Sequence, residues 1–521
     1  MSERTDLFLG LDVGTTATKA LVVDSHGREV ATASYGYGLS TPRDGWVEQD
    51  PEDLWRAVVA TCRGVRDQLA SNSHIVALGL SSQAGTTIPV GTGGRPTHNA
   101  FSWMDHRASE QAKRVQDQFG ADFIYRTTGW HLGGGLPLLL IAWLRENCPK
   151  EFAATERFLF VNDFVVERLT DRRCTNPSDA GITQLMNLDT GDWDEQLLAF
   201  SGAERDQLSP LQPSGYPVGT LTPEVANATG LDPDLVVVNG AHDQYCAAVG
   251  AGVTRPGQVL LSCGTAWVIL AVPEDKEKAL DSGMAVSRHA VECRWGAIRS
   301  MGGVGTSMEW LLDNVWSGKE NSGRARLYDA INRAVGHSRP GADGLYFCPL
   351  AGGHGVAFAR TGGGFLGLSL AHTRADMARA VMEGIAYELR WVIQEIRDAG
   401  LGVADLTMVG GAAESEVWPQ IVADITALPV TLPSSKQAAG RGAAILAAVG
   451  AGQFGDPEEG FSAFGSQATR LLPDADRQAV YDKAIRKSQR SYEVLRKQEG
   501  MSLRRHRTCQ QGRSRHVRQS R

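Results

Sequence analysis

Short apolar runs separated by glycine turns open the chain. Residues 7–12 are apolar up to Asp12 and lead into Gly14-Thr15-Thr16; a second run covers 20–24, and a third follows His26-Gly27 at 30–35. Runs of this length joined by tight turns predict three antiparallel strands. The period then changes. Residues 51–69 carry apolar positions at helical spacing behind Asp50-Pro51-Glu52-Asp53, where an Asp cap precedes a proline at the first helical position. Residues 75–81 return to a strand pattern. The apolar stretch 132–144 is too short for a bilayer and contains Pro137, so it predicts a buried helix start.

A similar opening recurs halfway along. Residues 258–263 read as a strand, Gly264-Thr265 as a turn, and 267–272 as the returning strand. Strand, Gly-Thr turn, strand in both places predicts an internal duplication with a period of about 250 residues, giving two similar α/β domains that face each other. The boundaries expected are 1–250 and 251–500. In the second half, Thr373-x-x-Asp376 has capping-box spacing. Met377, Ala380, Val381, Ile385, Leu389, Val392, Ile393 and Ile396 then hold one helix face, and Gly400 supplies the stop. A buried strand at 406–409 runs into Gly410-Gly411-Ala412. A helix at 416–426 and an Ala-rich helix at 441–449 close the domain.

Composition agrees with two domains. A chain of 521 residues is too long for one ordinary core. With 42% apolar and 21% charged residues it reads as globular, and a net charge of -7 argues against a general nucleic-acid binder. The 8 cysteines contain no C-x-x-C pair, which suggests neither a disulfide framework nor a zinc site and fits a reducing cytoplasm. The start MSERTDLFLGL reads as no secretory leader, so a cytoplasmic protein without a membrane partner is expected. The segment 501–521 holds seven arginines and no acidic residue. A basic arm for nucleic acid or membrane is one reading. A disordered extension is preferred, because aromatic stacking residues are lacking.

Four motifs carry chemistry. Asp12-Val13-Gly14-Thr15-Thr16-Ala17-Thr18-Lys19 sits on a hairpin turn, where backbone N–H groups, two threonine hydroxyls and Lys19 suit a polyphosphate. Asp12, at the strand end, could hold Mg²⁺ directly or through water. Ser262-Cys263-Gly264-Thr265-Ala266 occupies the matching position of the second half as a second phosphate clamp. One such turn can be an ordinary hairpin; two in equivalent places point to phosphate binding. Asn239-Gly240-Ala241-His242-Asp243-Gln244 follows the apolar strand 235–238, so Asp243 can reach a cleft as a general base, with His242 a competing base. Capping of the helix that follows is the plainer role for Asp243. Gly410-Gly411-Ala412 lets a flat base approach the backbone, or is simply a turn.

Together these segments resemble the FGGY family of carbohydrate kinases, nearest to xylulokinase-like members, across about 7–495. Gly45-Trp46-Val47-Glu48-Gln49-Asp50-Pro51 is similar to the family's W-x-E-Q-D-P segment, and Trp103-x-Asp105-x-Arg107 to its W-x-D-x-R. Arg168-Leu169-Thr170 with Asn176 to Asp179 resembles its R-L-T-G…S-D stretch, and 367–379 its G-L-x-L-x-H-T-R-A-D helix entrance. The resemblance implies two actin/hexokinase-type (ribonuclease H-like) domains with ATP and sugar in the cleft. By that likeness Asp12 organises Mg²⁺, and Thr15, Thr16, Lys19, Gly264 and Thr265 hold phosphates. Gly305, Glu309, Gly410, Gly411, Ala412 and Ser415 line the nucleotide pocket. Asp243 is the base, while Gln83, Trp103, Asp105, Arg107 and Gln244 approach the sugar.

Departures bear on the acceptor. After Gln83 the family's glycerol kinases carry Arg-Glu and its xylulokinases Met-His, whereas here Ala84 and Gly85 are small and would leave room for a longer substrate. Gly352-Gly353-His354-Gly355 replaces the family's G-E-R, and His242 stands where many xylulokinases have Gly. The resemblance thus implies an ATP-dependent kinase for a ketose such as a pentulose. A polyol, hexulose, heptulose or sugar acid is the alternative acceptor, and a non-catalytic actin-fold sugar sensor the rival class. A homodimer is left open.

Overall fold

The computed structural model describes residues 6–316, 323–349, 363–465 and 467–498. Gly352-Gly353-His354-Gly355 and the arginine-rich segment 501–521 lie outside the described residues. Alternation along the first run sets the architecture. Strand β1 (Asp6–Val13) pairs antiparallel with β2 (Ala17–Asp24), and β2 with β3 (Glu29–Gly36). Leu7, Leu9 and Leu11 point to one face, where Leu54, Val58 and Cys62 of helix α1 (Pro51–Arg66) cover them. The Asp50 side chain caps α1 as the sequence predicts, accepting from the Glu52 backbone N–H. Strand β4 (His74–Ser82) returns parallel to β1, and β5 (Val236–His242) parallel to β4. Helix α2 (Asp243–Ala251) follows directly.

The second half repeats this topology. Strands β6 (Gln258–Cys263), β7 (Trp267–Ala271) and β8 (Trp295–Met301) form an antiparallel meander, and helix α3 (Val304–Leu311) leaves it. Helix α4 (Arg374–Asp398) opens with the predicted Thr373–Asp376 capping box. Strand β9 (Asp405–Gly410) runs parallel to β6. Helix α5 (Trp418–Thr426) starts two residues later than expected, with Pro419 in its first turn. Strand β10 (Val430–Pro433) runs parallel to β9. The spatial orders β3-β2-β1-β4-β5 and β8-β7-β6-β9-β10 are the same, so the duplication read from two Gly-Thr turns is present in the sheet topology. Among the described residues no helix is long and apolar enough to cross a membrane.

The Ala-rich helix α6 (Ala438–Gly450) begins a turn earlier than the sequence predicts, and it does not sit on the second sheet. It crosses back and packs on β1, β4 and α2. The contact is backbone on backbone. A Cβ on Gly10 would lie 1.8 Å from Gly440 O, one on Gly79 2.1 Å from Ala443 O, one on Gly250 2.0 Å from Ala438 O, and one on Gly442 1.9 Å from Cys246 O. Periodicity marks α6 as buried but carries no information on which sheet buries it. Tyr245 of α2 reaches the other way, donating from its hydroxyl to Gly296 O in β8 at 3.2 Å. Helices α2 and α6 therefore fill the space between the two sheets.

This seam has no slack for a methyl group. Gly442→Ala is expected to lower the thermal midpoint by about 3–8 °C through overpacking. Gly38→Ala, where a Cβ meets nothing within 4 Å, serves as the control and should stay within about 1 °C. A scanning-calorimetry comparison in which both variants melt with the wild type would contradict the close approach.

Candidate active site

Three parallel strands end side by side, and their last residues carry the chemistry. Asp12 of β1 is in register with Ser81 of β4, and His242 of β5 with Ser82. Ligands of open α/β sheets bind beyond such carboxyl ends. Ser81 donates its hydroxyl to Asp12 Oδ1 at 2.7 Å. Burial pushes the Asp12 carboxyl up to about 6, and the nearby Asp243 carboxylate adds to the rise; Ser81 and Lys19, its cross-strand partner, oppose it. Asp243 is the first residue of α2. Its side chain makes no cap, is 30% exposed, and lies 3.1 Å from His242 Nε2. A carboxylate at a helix start that does not cap that helix is free to face a ligand.

A buried carboxyl stands behind this pair. Asp179 accepts from Asn176 Nδ2 at 2.6 Å and from Ser82 Oγ at 3.3 Å. Burial raises its carboxyl to about 7, against the influence of His242. Ser178 of the same short helix (Pro177–Ile182) accepts from the His242 backbone N–H at 3.0 Å.

The first Gly-Thr turn is held open by its neighbours. Gly14 N donates to Ala17 O at 3.1 Å, and the Tyr37 hydroxyl donates to Gly14 O. Gln49 Nε2 donates to Thr15 O at 2.8 Å and Trp103 Nε1 to Thr15 Oγ1 at 3.1 Å. Thr16 and Lys19 are exposed. Gln83, buried, donates to Gln49 Oε1 at 2.9 Å. Gln244 is half-buried, and its Oε1 is enclosed without a partner. Such an acceptor suits a ligand hydroxyl.

Asp105 and Arg107, expected beside the sugar, are engaged within the protein. Both side chains are wholly buried. Asp105 accepts from Val47 N at 2.7 Å and from Arg107 Nε at 2.9 Å, and Arg107 also pairs with Glu48 Oε1 at 2.7 Å. The guanidinium lies 3.9 Å from the Trp46 ring centroid. This closed group braces the loop that presents Trp103; of the three, only Trp103 is open, at 40% exposure. Ala84 and Gly85 are closely surrounded. Ala84 is buried, and Gly85, at φ 81°, gives its space to Trp103 and Ile182, which a Cβ would meet at 3.3 and 3.4 Å.

In the second half Gly264, Thr265, Gly305, Glu309, Gly411, Ala412 and Ser415 line one cavity of about 540 Å³, and Gly410 lies just behind it. Gly305 N donates to Thr265 O at 3.0 Å, and a Cβ there would fall 2.2 Å from Gly264 O, so glycine is needed where α3 meets the turn. Glu309 pairs with Arg324 and accepts from the Tyr328 hydroxyl; Ser415 donates to Asn332 Oδ1 at 2.7 Å. Sequence reasoning missed Tyr328, Asn332, Trp267 and Trp418, which complete the lining. Their spacing reads as core, and only the cavity distinguishes them. It also missed Ser81. Gln49 was within reach of the Trp46-x-Glu48-Gln49 segment.

Mg²⁺ fits Asp12. The half-buried carboxyl has one oxygen engaged by Ser81 and a second carboxylate nearby, so it gains from a cation. Mg²⁺ ordinarily uses one or two carboxylates plus substrate phosphates, and Asp12 with the nearby Asp243 offers that number.

Comparison with known proteins agrees with both halves. The N-terminal-domain pattern of the FGGY family of carbohydrate kinases matches residues 7–250, and its C-terminal-domain pattern residues 259–451. The chain is 30% identical over 476 residues to the xylulose kinase of Bacillus subtilis (strain 168), covering 91% of this chain and 94% of that one. It is 29% identical over 456 residues to the gluconokinase of Bacillus licheniformis, covering 86% and 88%. Among solved structures, the xylulose kinase from Rhodospirillum rubrum superposes with a TM-score of 0.84 at 25% identity, covering 94% of this chain and 99% of that one. The gluconate kinase from Lactobacillus acidophilus gives 0.83 at 24%, covering 94% and 98%.

The raised carboxyl of Asp12 has a consequence for stability. The folded state binds its proton more tightly than the unfolded chain, so the cost is absent below the ordinary carboxyl range near 3.8 and complete above about 6. Asp12→Asn is expected to raise stability at pH 8 by about 1–3 kcal/mol, the gain fading as the pH falls to about 4. Urea unfolding at both pH values checks this; an equal change at both would contradict titration as the cause.

Proposed function

We propose that this chain, which belongs to the FGGY family of carbohydrate kinases, transfers the γ-phosphoryl of MgATP to a hydroxyl of a ketose, a xylulose-like pentulose or a related sugar. The observation that carries the reading is Asp243: an accessible carboxylate at the head of α2, uncommitted to capping and adjacent to Asp12. The unit 1–250 mainly binds sugar and the unit 251–500 mainly binds ATP.

Each residue then has a task. Gly264, Thr265, Gly305, Glu309, Gly410, Gly411, Ala412 and Ser415 form the nucleotide side, with Trp267 and Trp418 giving it aromatic walls. Thr15, Thr16 and Lys19 hold phosphate oxygens. Asp12 would hold Mg²⁺, which would supply charge neutralisation on the phosphates. Gln83, Trp103 and Gln244 hold the acceptor, and Asp105 and Arg107 keep Trp103 in position. Asp243 takes the proton of the attacking hydroxyl as its oxygen bonds to the γ-phosphorus, the bond to the β–γ bridging oxygen breaks, and ADP departs. The two threonine turns stabilise the charge that develops between them.

The relatives leave two acceptor classes in view, since one acts on xylulose and another is a gluconokinase. An uncharged ketose is favoured over a sugar acid because Arg107, the cation the sequence offers beside the sugar residues, is buried and already paired to Asp105 and Glu48. A sensor would have no use for an accessible base.

Asp243→Ala should lower turnover at least ~10²-fold while ATP binding persists. Coupled ADP release across pentuloses, hexuloses, heptuloses, polyols and gluconate, read beside ATP titration calorimetry, checks both halves. Turnover near wild type in the variant would remove the base, and a response to gluconate alone would overturn the ketose assignment.

A further inference from the structure

The head of helix α2 carries a second side chain that the reaction, as derived so far, does not use. His242 is the last residue of β5, and its side chain is 9% exposed. A buried histidine is ordinarily a packed ring with both nitrogens satisfied. This one is not: Nε2 lies 3.1 Å from Asp243 Oδ1, while Nδ1 is buried with no hydrogen-bond partner. An unpaired buried nitrogen is costly to the fold, which asks for a compensating use.

The ring is fixed from several sides. The His242 backbone N–H donates to Ser178 Oγ at 3.0 Å, and Tyr245 of α2 packs against the ring with centroids 5.5 Å apart. Asp243 gains nothing comparable from its own helix, because it caps nothing. Its carboxylate is paired with His242 instead.

We propose that His242 is the positioning residue for the catalytic base: its Nε2–H donates to Asp243 Oδ1, which leaves Oδ2 as the oxygen that receives the acceptor's proton. The inference rests on the reading of Asp243 as base. No covalent step is added; the proton that Asp243 takes is the one already accounted for.

The charges around the ring support the same role. Burial disfavours a proton on the imidazole, yet the hydrogen bond and charge of Asp243, together with the charge of Asp179, hold its proton affinity above the usual histidine range. Asp243 on its own segment, Asp179 from the helix Pro177–Ile182, and Tyr245 are the titratable groups that face it.

The test uses the full-length enzyme with His242→Gln, His242→Leu and Asp243→Ala. Initial rates of ADP release are measured with D-xylulose and D-gluconate over about pH 5.5–9, following whichever acceptor has the higher kcat. His242→Leu should lower kcat ~10–10²-fold with the KM for ATP changed less than ~2-fold. His242→Gln keeps an N–H donor without a charge, so it should recover kcat to within ~5-fold while its acid limb shifts, because the titrating ring is gone. Wild-type kcat and an unshifted pH profile in His242→Leu would overturn the proposal. So would equal loss in both variants with an unshifted profile, since that is the signature of packing alone. If His242→Leu fails to fold, the profile of His242→Gln decides. An inactive Asp243→Ala beside unaffected His242 variants rejects the positioning role and leaves the base intact; an active Asp243→Ala removes both.

Discussion

The close approach of helix α6 to strands β1 and β4 governs what the rest of the molecule can do. Gly10 and Gly79 have no side chain on the face that α6 covers, and the helix answers with Gly440 and Ala443, so backbone meets backbone. Gly250 and Gly442 then lock α2 against α6 in the same manner. Interiors packed at this density transmit position rather than absorb it. The start of α2 is thereby fixed relative to the ends of β1 and β4, and Asp243 is held near Asp12. The same stack reaches the second sheet through Tyr245 and Gly296, so one seam organises both halves.

Two groups of charge in the molecule differ in kind. Asp105, Arg107 and Glu48 form a closed set, with each carboxylate answered by the guanidinium and the guanidinium stacked on Trp46. That set holds a loop. Asp12, Asp179 and Asp243 form an open one. Burial lifts Asp12 to about 6 and Asp179 to about 7, and the nearby cations are the exposed Lys19 and the enclosed His242. Unanswered negative charge is a standing cost to the fold, and such costs concentrate where a ligand relieves them. A cation at Asp12 and a proton arriving at Asp243 would each do so.

Much of this was legible in the sequence because the signals are local. The opening meander, the Asp50 cap, the Thr373–Asp376 box and the repeated Gly-Thr turn depend on neighbours in the chain, and the structure contains each of them. The second-half residues expected near the nucleotide also come together, because Gly305 meets the Gly264-Thr265 turn and Gly410 meets Cys263, just before that turn, through backbone contact. What stayed hidden depends on long-range packing. The Ala-rich helix looks the same whichever sheet buries it, and only the missing Cβ atoms at Gly10 and Gly79 decide. Asp105 and Arg107 read as polar site residues until Glu48 and Trp46, more than fifty residues earlier, are seen to enclose them. Gly85 reads as empty space until Trp103 fills it.

The most direct test of the account is the structure of the enzyme with ADP and the acceptor it phosphorylates best. The account predicts the acceptor hydroxyl within about 2.6–3.2 Å of an Asp243 carboxylate oxygen, with the adenine in the cavity between Thr265, Tyr328 and Ala412. A sugar bound away from Asp243, with that carboxylate still turned only toward His242, would contradict it.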